Sequence, residues 1–152
     1  GFHGGLDLRS KVPEPVYAIH DGYIEIRDKP SSTAGKHIVV TQEPEVEPAE
    51  SGEDETGVYV WNPSGKERKT QGIKTKYMHL SSFDVVDGQF VNAGEQIGMS
   101  GRTGRYKKDG VWMNVKPHLH IELYVKATKD SKYKIENPEK MLSRAGISMV
   151  RV

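Results

Sequence analysis

An all-β fold built on an antiparallel sheet is what this sequence predicts, and three observations carry the prediction. Several short runs alternate apolar and polar side chains or cluster β-branched ones, as strands half buried on one face require. Turn formers punctuate them at close intervals, with 16 Gly and 8 Pro in 152 residues, which leaves little room for long helices. Only one stretch carries helix signals. Asn137 can cap it, Pro138 fits its first turn, Glu139 suits its dipole and Gly146 can close it, so one short C-terminal helix is expected over 137–146. Met141, Leu142 and Ala145 would form its buried stripe.

In chain order, Val16-Tyr17-Ala18 and Gly22-Tyr23-Ile24-Glu25-Ile26-Arg27 read as two strands parted by the turn signal His20-Asp21-Gly22. Lys36-His37-Ile38-Val39-Val40-Thr41 is β-branched and reads as a third. The Pro/Glu/Gly stretch 43–57 has too little apolar surface to order itself and reads as an acidic loop insertion. Gly57-Val58-Tyr59-Val60-Trp61 followed by Asn62-Pro63-Ser64-Gly65 suggests a hairpin at its tip. Lys74 to Leu80 alternates and returns as a strand. Phe90-Val91 and Glu95 to Ser100 are short strands joined by Asn92-Ala93-Gly94, and residues 105–116 form a longer loop before the strand 117–125. No long-period repeat or heptad breaks the chain up, so residues 1–152 are expected to form a single domain.

Composition excludes several function classes. There is no cysteine, which rules out disulfides and thiolate metal sites and leaves His, Asp and Glu as strong ligands. No apolar run reaches the length of a bilayer span. Residues 43–55 hold seven acidic side chains and no basic one, so the remainder carries about +8 against a total of +1. A mildly basic body suits polyanionic surroundings such as a bacterial wall, but no nucleic-acid-binding module accompanies the basic residues. The acidic stretch lacks EF-hand ligand spacing and reads as a solvated loop. Chemistry begins at residue 3, so the chain is read as a processed or trimmed segment whose targeting region lies upstream.

Pro117-His118-Leu119-His120-Ile121-Glu122-Leu123-Tyr124-Val125 is the most informative run. His118, His120 and Glu122 share one parity, with the two histidines about 6.6 Å apart at Cα. That spacing suits one imidazole that ligates a metal beside one that acts on what the metal binds. His3-Gly4-Gly5-Leu6-Asp7 opens the chain, and its paired glycines favour a tight turn into a strand over a helix. Two ligands from this segment and one from His120 would make a three-ligand zinc site with a position left open for water, the pattern of a catalytic zinc. Tyr77-Met78-His79-Leu80 supplies a further histidine at a predicted strand end. His20 and His37 lie outside these motifs and read as ordinary surface or turn residues.

With these residues in place, the chain resembles the lysostaphin-type (LytM-like) zinc metalloendopeptidases of peptidoglycan. The likeness runs from Phe2-His3-Gly4-Gly5-Leu6-Asp7 through Pro15-Val16-Tyr17-Ala18, Asp21-Gly22-Tyr23-Ile24 and Tyr77-Met78-His79-Leu80. It continues over Val91 to Gly104 and ends at Pro117 to Glu122. The resemblance implies an antiparallel sheet flooring a groove walled by loops, of the duplicated-hybrid-motif type. It also implies one Zn2+ per chain held by His3, Asp7 and His120, with His79 and His118 as catalytic histidines that do not bind the metal. Glu122 would orient a ligand imidazole, and Tyr106 and Trp112 are candidates for contacting substrate in the groove. The loop 105–116 and the acidic insertion depart from the family pattern and would reshape that groove.

The implied activity is zinc-dependent hydrolysis of amide bonds in peptidoglycan stem peptides or cross-bridges, in a secreted, periplasmic or cell-envelope bacterial protein. A protein partner or upstream domain in the full-length form is compatible with this. Two rivals remain: a non-catalytic member of the fold that binds wall or a partner as regulator or scaffold, and an enzyme acting on a peptide outside the wall. Degenerate members lack ligands, whereas His3, Asp7, His79, His118 and His120 are all present here.

Overall fold

The computed structural model describes residues 5–9, 13–47, 52–53, 59–60 and 68–138. Among the described residues, strands make up all of the regular structure. The first four are β1 (Leu6–Arg9), β2 (Pro15–Tyr17), β3 (Gly22–Asp28) and β4 (Lys36–Gln42). Four short ones follow between residues 45 and 70: β5 (Glu45–Glu47), β6 (Gly52–Glu53), β7 (Tyr59–Val60) and β8 (Arg68–Thr70). The long β9 (Gly72–Phe83) leads to β10 (Phe90–Val91) and β11 (Gln96–Ser100). Last come β12 (Arg105–Lys108), β13 (Val111–Asn114), β14 (His118–Lys126) and β15 (Lys134–Glu136). Of the expected helix 137–146, only Asn137 and Pro138 lie within the described residues, and none of those residues forms a helix able to cross a membrane.

One antiparallel sheet organises the molecule, in the order β1-β14-β9-β4-β3-β10, with β15 on β14. β9 is long enough to serve two neighbourhoods. Its first half pairs with β14 and β4 through residues 72–78. Beyond His79, its second half pairs with β11, which carries β2. The inward parities of these strands bury Val16, Ile24, Ile38, Val40, Tyr77, Leu80, Ile97 and Ile121 in one core. The opposite parities, with the half-exposed His120, Glu122, Met78 and Lys76, make an open face. Burial alternates along β14 as the sequence predicts: Ile121 and Leu123 are inside, and their even-numbered neighbours half exposed.

Three regions differ from the sequence reading. Residues 105–116, expected as a loop, form a β-ribbon in which Arg105 faces Asn114 and Lys108 faces Val111. Asp109 and Gly110 both take positive φ, 52° and 79°, which is what a two-residue hairpin connection demands. Within the stretch 43–57 read as a loop, β5 and β6 form main-chain ladders with β8 and β7, which lie beyond it. Backbone pairing with the returning arm supplies order that side-chain hydrophobicity does not. His20, read as a surface or turn residue, is only 5% exposed. Its imidazole sits between the Asp21 carbonyl (Nδ1 to O, 2.7 Å) and the Thr75 hydroxyl (Nε2 to Oγ1, 2.8 Å), so a hydrogen-bonded pocket accommodates what the turn signal placed outside.

Candidate active site

Register alone assembles most of the site. β1 pairs with β14 so that Asp7 stands opposite His120, and β9 pairs on the other side with Met78 opposite His120. Asp7 and His120 therefore meet across a strand pair although 113 positions separate them. Gly5 is required by this approach: a Cβ there would lie 2.3 Å from His120 Nε2, far inside van der Waals contact. His3, the other predicted ligand from this segment, lies outside the described residues.

His120 is held at both ring nitrogens. Nδ1 is 2.5 Å from Asp7 Oδ1, and Nε2 is 3.3 Å from Glu122 Oε2. Glu122 is steadied in turn by the Tyr124 hydroxyl, which donates to Oε1 at 2.8 Å. Desolvation, followed by the neighbouring Glu122, pushes the Tyr124 phenol up to about 12, so it keeps the proton it donates. A neutral imidazole has one N–H. If Nε2–H donates to Glu122, the Nδ1 lone pair faces the Asp7 carboxylate oxygen. An imidazole nitrogen and a carboxylate oxygen brought together in this way are donor types that a divalent metal takes, so the residues fit one. Among the described residues no three such side chains are grouped as a metal site; Asp7 and His120 are two of the predicted three.

His79 does not end its strand, as the sequence suggested. It interrupts β9 with φ of 63°, a left-handed conformation costing a non-glycine residue about 1–3 kcal/mol. The turn is held from two sides. Its N–H donates to the Ala34 carbonyl at 2.9 Å, and Nδ1–H donates to the Thr103 carbonyl at 2.8 Å. Thr103 is itself pinned, since its hydroxyl donates to the Leu80 carbonyl at 2.6 Å and accepts from the Lys36 N–H at 3.0 Å. Gly104 follows with φ of 107°, and a Cβ there would come within 2.9 Å of His79 Nδ1. Burial is the main cause that lowers the His79 pKa from 6.5; the Thr103 carbonyl opposes it, and the adjacent His118 and His120 reinforce it.

His118 occupies regular strand. Its Nδ1–H donates to the Lys116 carbonyl at 2.6 Å, and its Nε2 lies 3.5 Å from Asp7 Oδ1. The His79 and His118 rings are 4.7 Å apart between centroids, and His79 and His120 6.4 Å. Because a carbonyl can only accept, both His79 and His118 are fixed as Nδ1–H tautomers, with Nε2 left as the basic nitrogen.

Asp7, His79, His118, His120 and Glu122 thus line one cavity of about 650 Å3, and Tyr106 from β12 stands at its wall. Trp112 is not among the lining residues; it is 56% exposed on β13, flanked by Arg105 and Lys107 at 5.3 and 5.8 Å. Sequence reasoning gave no role to Thr103, Lys116 or Tyr124, and read Gly5 as a turn former only. The first two act through main-chain carbonyls, which leave no mark on side-chain pattern. Tyr124 was visible, since it continues the parity of His118, His120 and Glu122.

Comparison with known proteins places this geometry. Residues 50–132 match peptidase family M23. Peptidoglycan DD-endopeptidase ShyB of Vibrio cholerae is 30% identical over 82% of this chain and 21% of its own length. This chain therefore spans about a fifth of that relative. Among solved structures, the catalytic domain of the antimicrobial peptidase lysostaphin from Staphylococcus simulans superposes with a TM-score of 0.54 at 26% identity, covering 94% of this chain and 80% of that one. A zinc containing peptidase from Vibrio cholerae gives 0.52 at 26% identity over 88% of this chain and 29% of its own. With more than half its length matched to one family and an all-β fold shared with these peptidases, the chain belongs to peptidase family M23.

Proposed function

We propose that the protein is a zinc-dependent endopeptidase of the bacterial cell envelope or exterior, hydrolysing amide bonds in peptidoglycan stem peptides or cross-bridges. Membership of family M23 supports the peptidase reading, ShyB's description as a peptidoglycan DD-endopeptidase supports the substrate, and the zinc containing Vibrio peptidase supports the metal. The observation that carries the reading is the meeting of Asp7 with His120, beside two histidines each held at Nδ1 by a main-chain carbonyl.

His3, Asp7 and His120 would hold the ion, with Glu122 fixing the His120 ring through Nε2–H. When bound, zinc supplies a Lewis acid that polarises the scissile carbonyl and makes water a nucleophile at neutral pH. His79, kept neutral by burial, is ready to accept a proton at Nε2. His118, within 3.5 Å of the Asp7 carboxylate, has the same tautomer and is equally placed to take a proton or, once protonated, to donate. A proton accepted at one Nε2 and passed to the departing amine returns the pair to its starting state. A charged imidazole facing the developing oxyanion would also stabilise it, an effect of about 2.7–4 kcal/mol per donor in such sites. No observation favours the non-catalytic alternative, since all four described site positions keep their chemistry.

Purified sacculi of Gram-negative and Gram-positive origin, digested with and without chelator, test the reading by mass spectrometry of released muropeptides. New amine termini that vanish with chelator and return with zinc are expected. Binding without cleavage would sink it.

A further inference from the structure

The open sheet face continues past the histidines, and it carries charges that the chemistry above does not use. Along β9 the position after Met78 on this face is Lys76, with Glu122 beside it on β14; the next is Lys74, beside Tyr124. The carboxylates of this floor are already engaged. Glu25 binds Arg27 at 2.6 Å, and Glu122 serves Tyr124 and His120. Lys74 and Lys76 have no carboxylate partner among the described residues. Their ammonium groups rest over the rings of Tyr133 and Tyr124, at 4.4 and 5.1 Å from the centroids. Both are half buried, and they line a cavity of about 280 Å3 with Arg27, its partner Glu25, and Lys29.

Partly desolvated cations without a counter-charge are incomplete; an anion from outside would complete them. We propose that Lys74 and Lys76 form a carboxylate-binding subsite, so that the substrate is a peptide bearing a free carboxylate near the cut bond rather than an uncharged all-glycine bridge. The proposal rests on the peptidase reading above and narrows its substrate. Two strand rises put Lys76 about 7 Å from the row of His120 and Met78, and Lys74 stands about 13 Å from it. An extended peptide advances about 3.3 Å per residue, so the recognised carboxylate lies about two to four residues from the scissile amide.

The test is sedimentation of metal-replete protein after brief contact on ice with two probes. One is sacculi with free stem-peptide carboxylates; the other is the same sacculi with those carboxylates converted to primary amides. Lys74→Gln/Lys76→Gln is expected to bind free-carboxylate sacculi about five- to tenfold more weakly, as loss of two charge-assisted contacts on a half-buried floor implies. Amidation should weaken the wild type by the same factor and leave the variant unaffected. Lys74→Arg/Lys76→Arg should restore binding. Lys129→Gln/Lys132→Gln, which removes equal charge from an exposed loop, should bind as wild type. Unchanged binding, or an equal loss on both probes, would overturn the subsite. So would tighter binding by the glutamine variant, which would mean that these lysines serve the chain's own acidic segment. Cleavage is scored separately at 37 °C: sacculi bound in this carboxylate-dependent way but never cut would remove the peptidase reading alone, whereas sacculi cut without lysine dependence would remove the subsite alone.

Discussion

Two histidine environments lie back to back on β9, and their difference shows what makes an imidazole available for chemistry. On the core side, His20 has spent both nitrogens, on the Asp21 carbonyl and the Thr75 hydroxyl. The chain of bonds runs on from Thr75 to the Tyr77 hydroxyl at 3.1 Å, which also accepts the Ile19 N–H at 3.0 Å. Desolvation is the chief cause that pushes the Tyr77 phenol up to about 12, so it stays protonated. On the open side, His79 has spent Nδ1 alone, on a carbonyl, and His118 has spent Nδ1 likewise with its Nε2 3.5 Å from Asp7 Oδ1. Burial is not the discriminator, because His79 is nearly as buried as His20, 7% against 5% exposed. What separates them is whether the second nitrogen is satisfied.

Exchanging the open environment for an inert one should have the largest effects. Asp7→Ala or His120→Ala is expected to lose zinc and activity together, to background, by metal analysis alongside muropeptide release. His118→Ala should retain zinc and lose turnover by about 10²-fold or more; an apo protein would instead assign His118 to the metal. Gly104→Ala strikes the carbonyl side of His79, since it must hold φ of 107° with a Cβ 2.9 Å from the ring. A loss of about 1–3 kcal/mol in stability and a lower kcat are expected, read by thermal denaturation and initial rates. Glu122→Gln leaves a weaker acceptor for His120 Nε2 and should weaken zinc binding by about tenfold, measured by competition with a chromogenic chelator.

The smallest effect belongs to the silent side. The folded pKa of His20 is lowered from 6.5, chiefly by burial. Its contribution to stability is therefore complete above pH 6.5 and is lost as pH falls from there through the lower folded value. His20→Gln should flatten this part of the pH dependence of the urea midpoint while leaving zinc content unchanged. An unchanged slope would mean that His20 does not titrate in the window.

Side-chain parity made the site's late strand legible. Because strand side chains repeat every second residue, His118, His120 and Glu122 had to share a face, and Ile121 and Leu123 had to be inside, as found. The ribbon of β12 and β13 was marked by Asp109-Gly110 but hidden by exposed flanks in which polar and apolar residues do not alternate. His79 was placed at a strand end because nothing in Tyr77-Met78-His79-Leu80 marks a left-handed residue; the clamp comes from Ala34 and Thr103.

What the sequence determined by itself is local: which residue types are present, which neighbours share a strand face, and where turns fall. Those follow from the two-residue period and from backbone preferences that act over a few positions. Tertiary structure alone decided that Asp7 stands across from His120, that His79 and His118 each bond a carbonyl through Nδ1, and that His20 has both nitrogens bonded. Those outcomes depend on strand register and on carbonyls from distant segments, and hydrogen bonds formed only when the sheet closes cannot be read from the order of side chains.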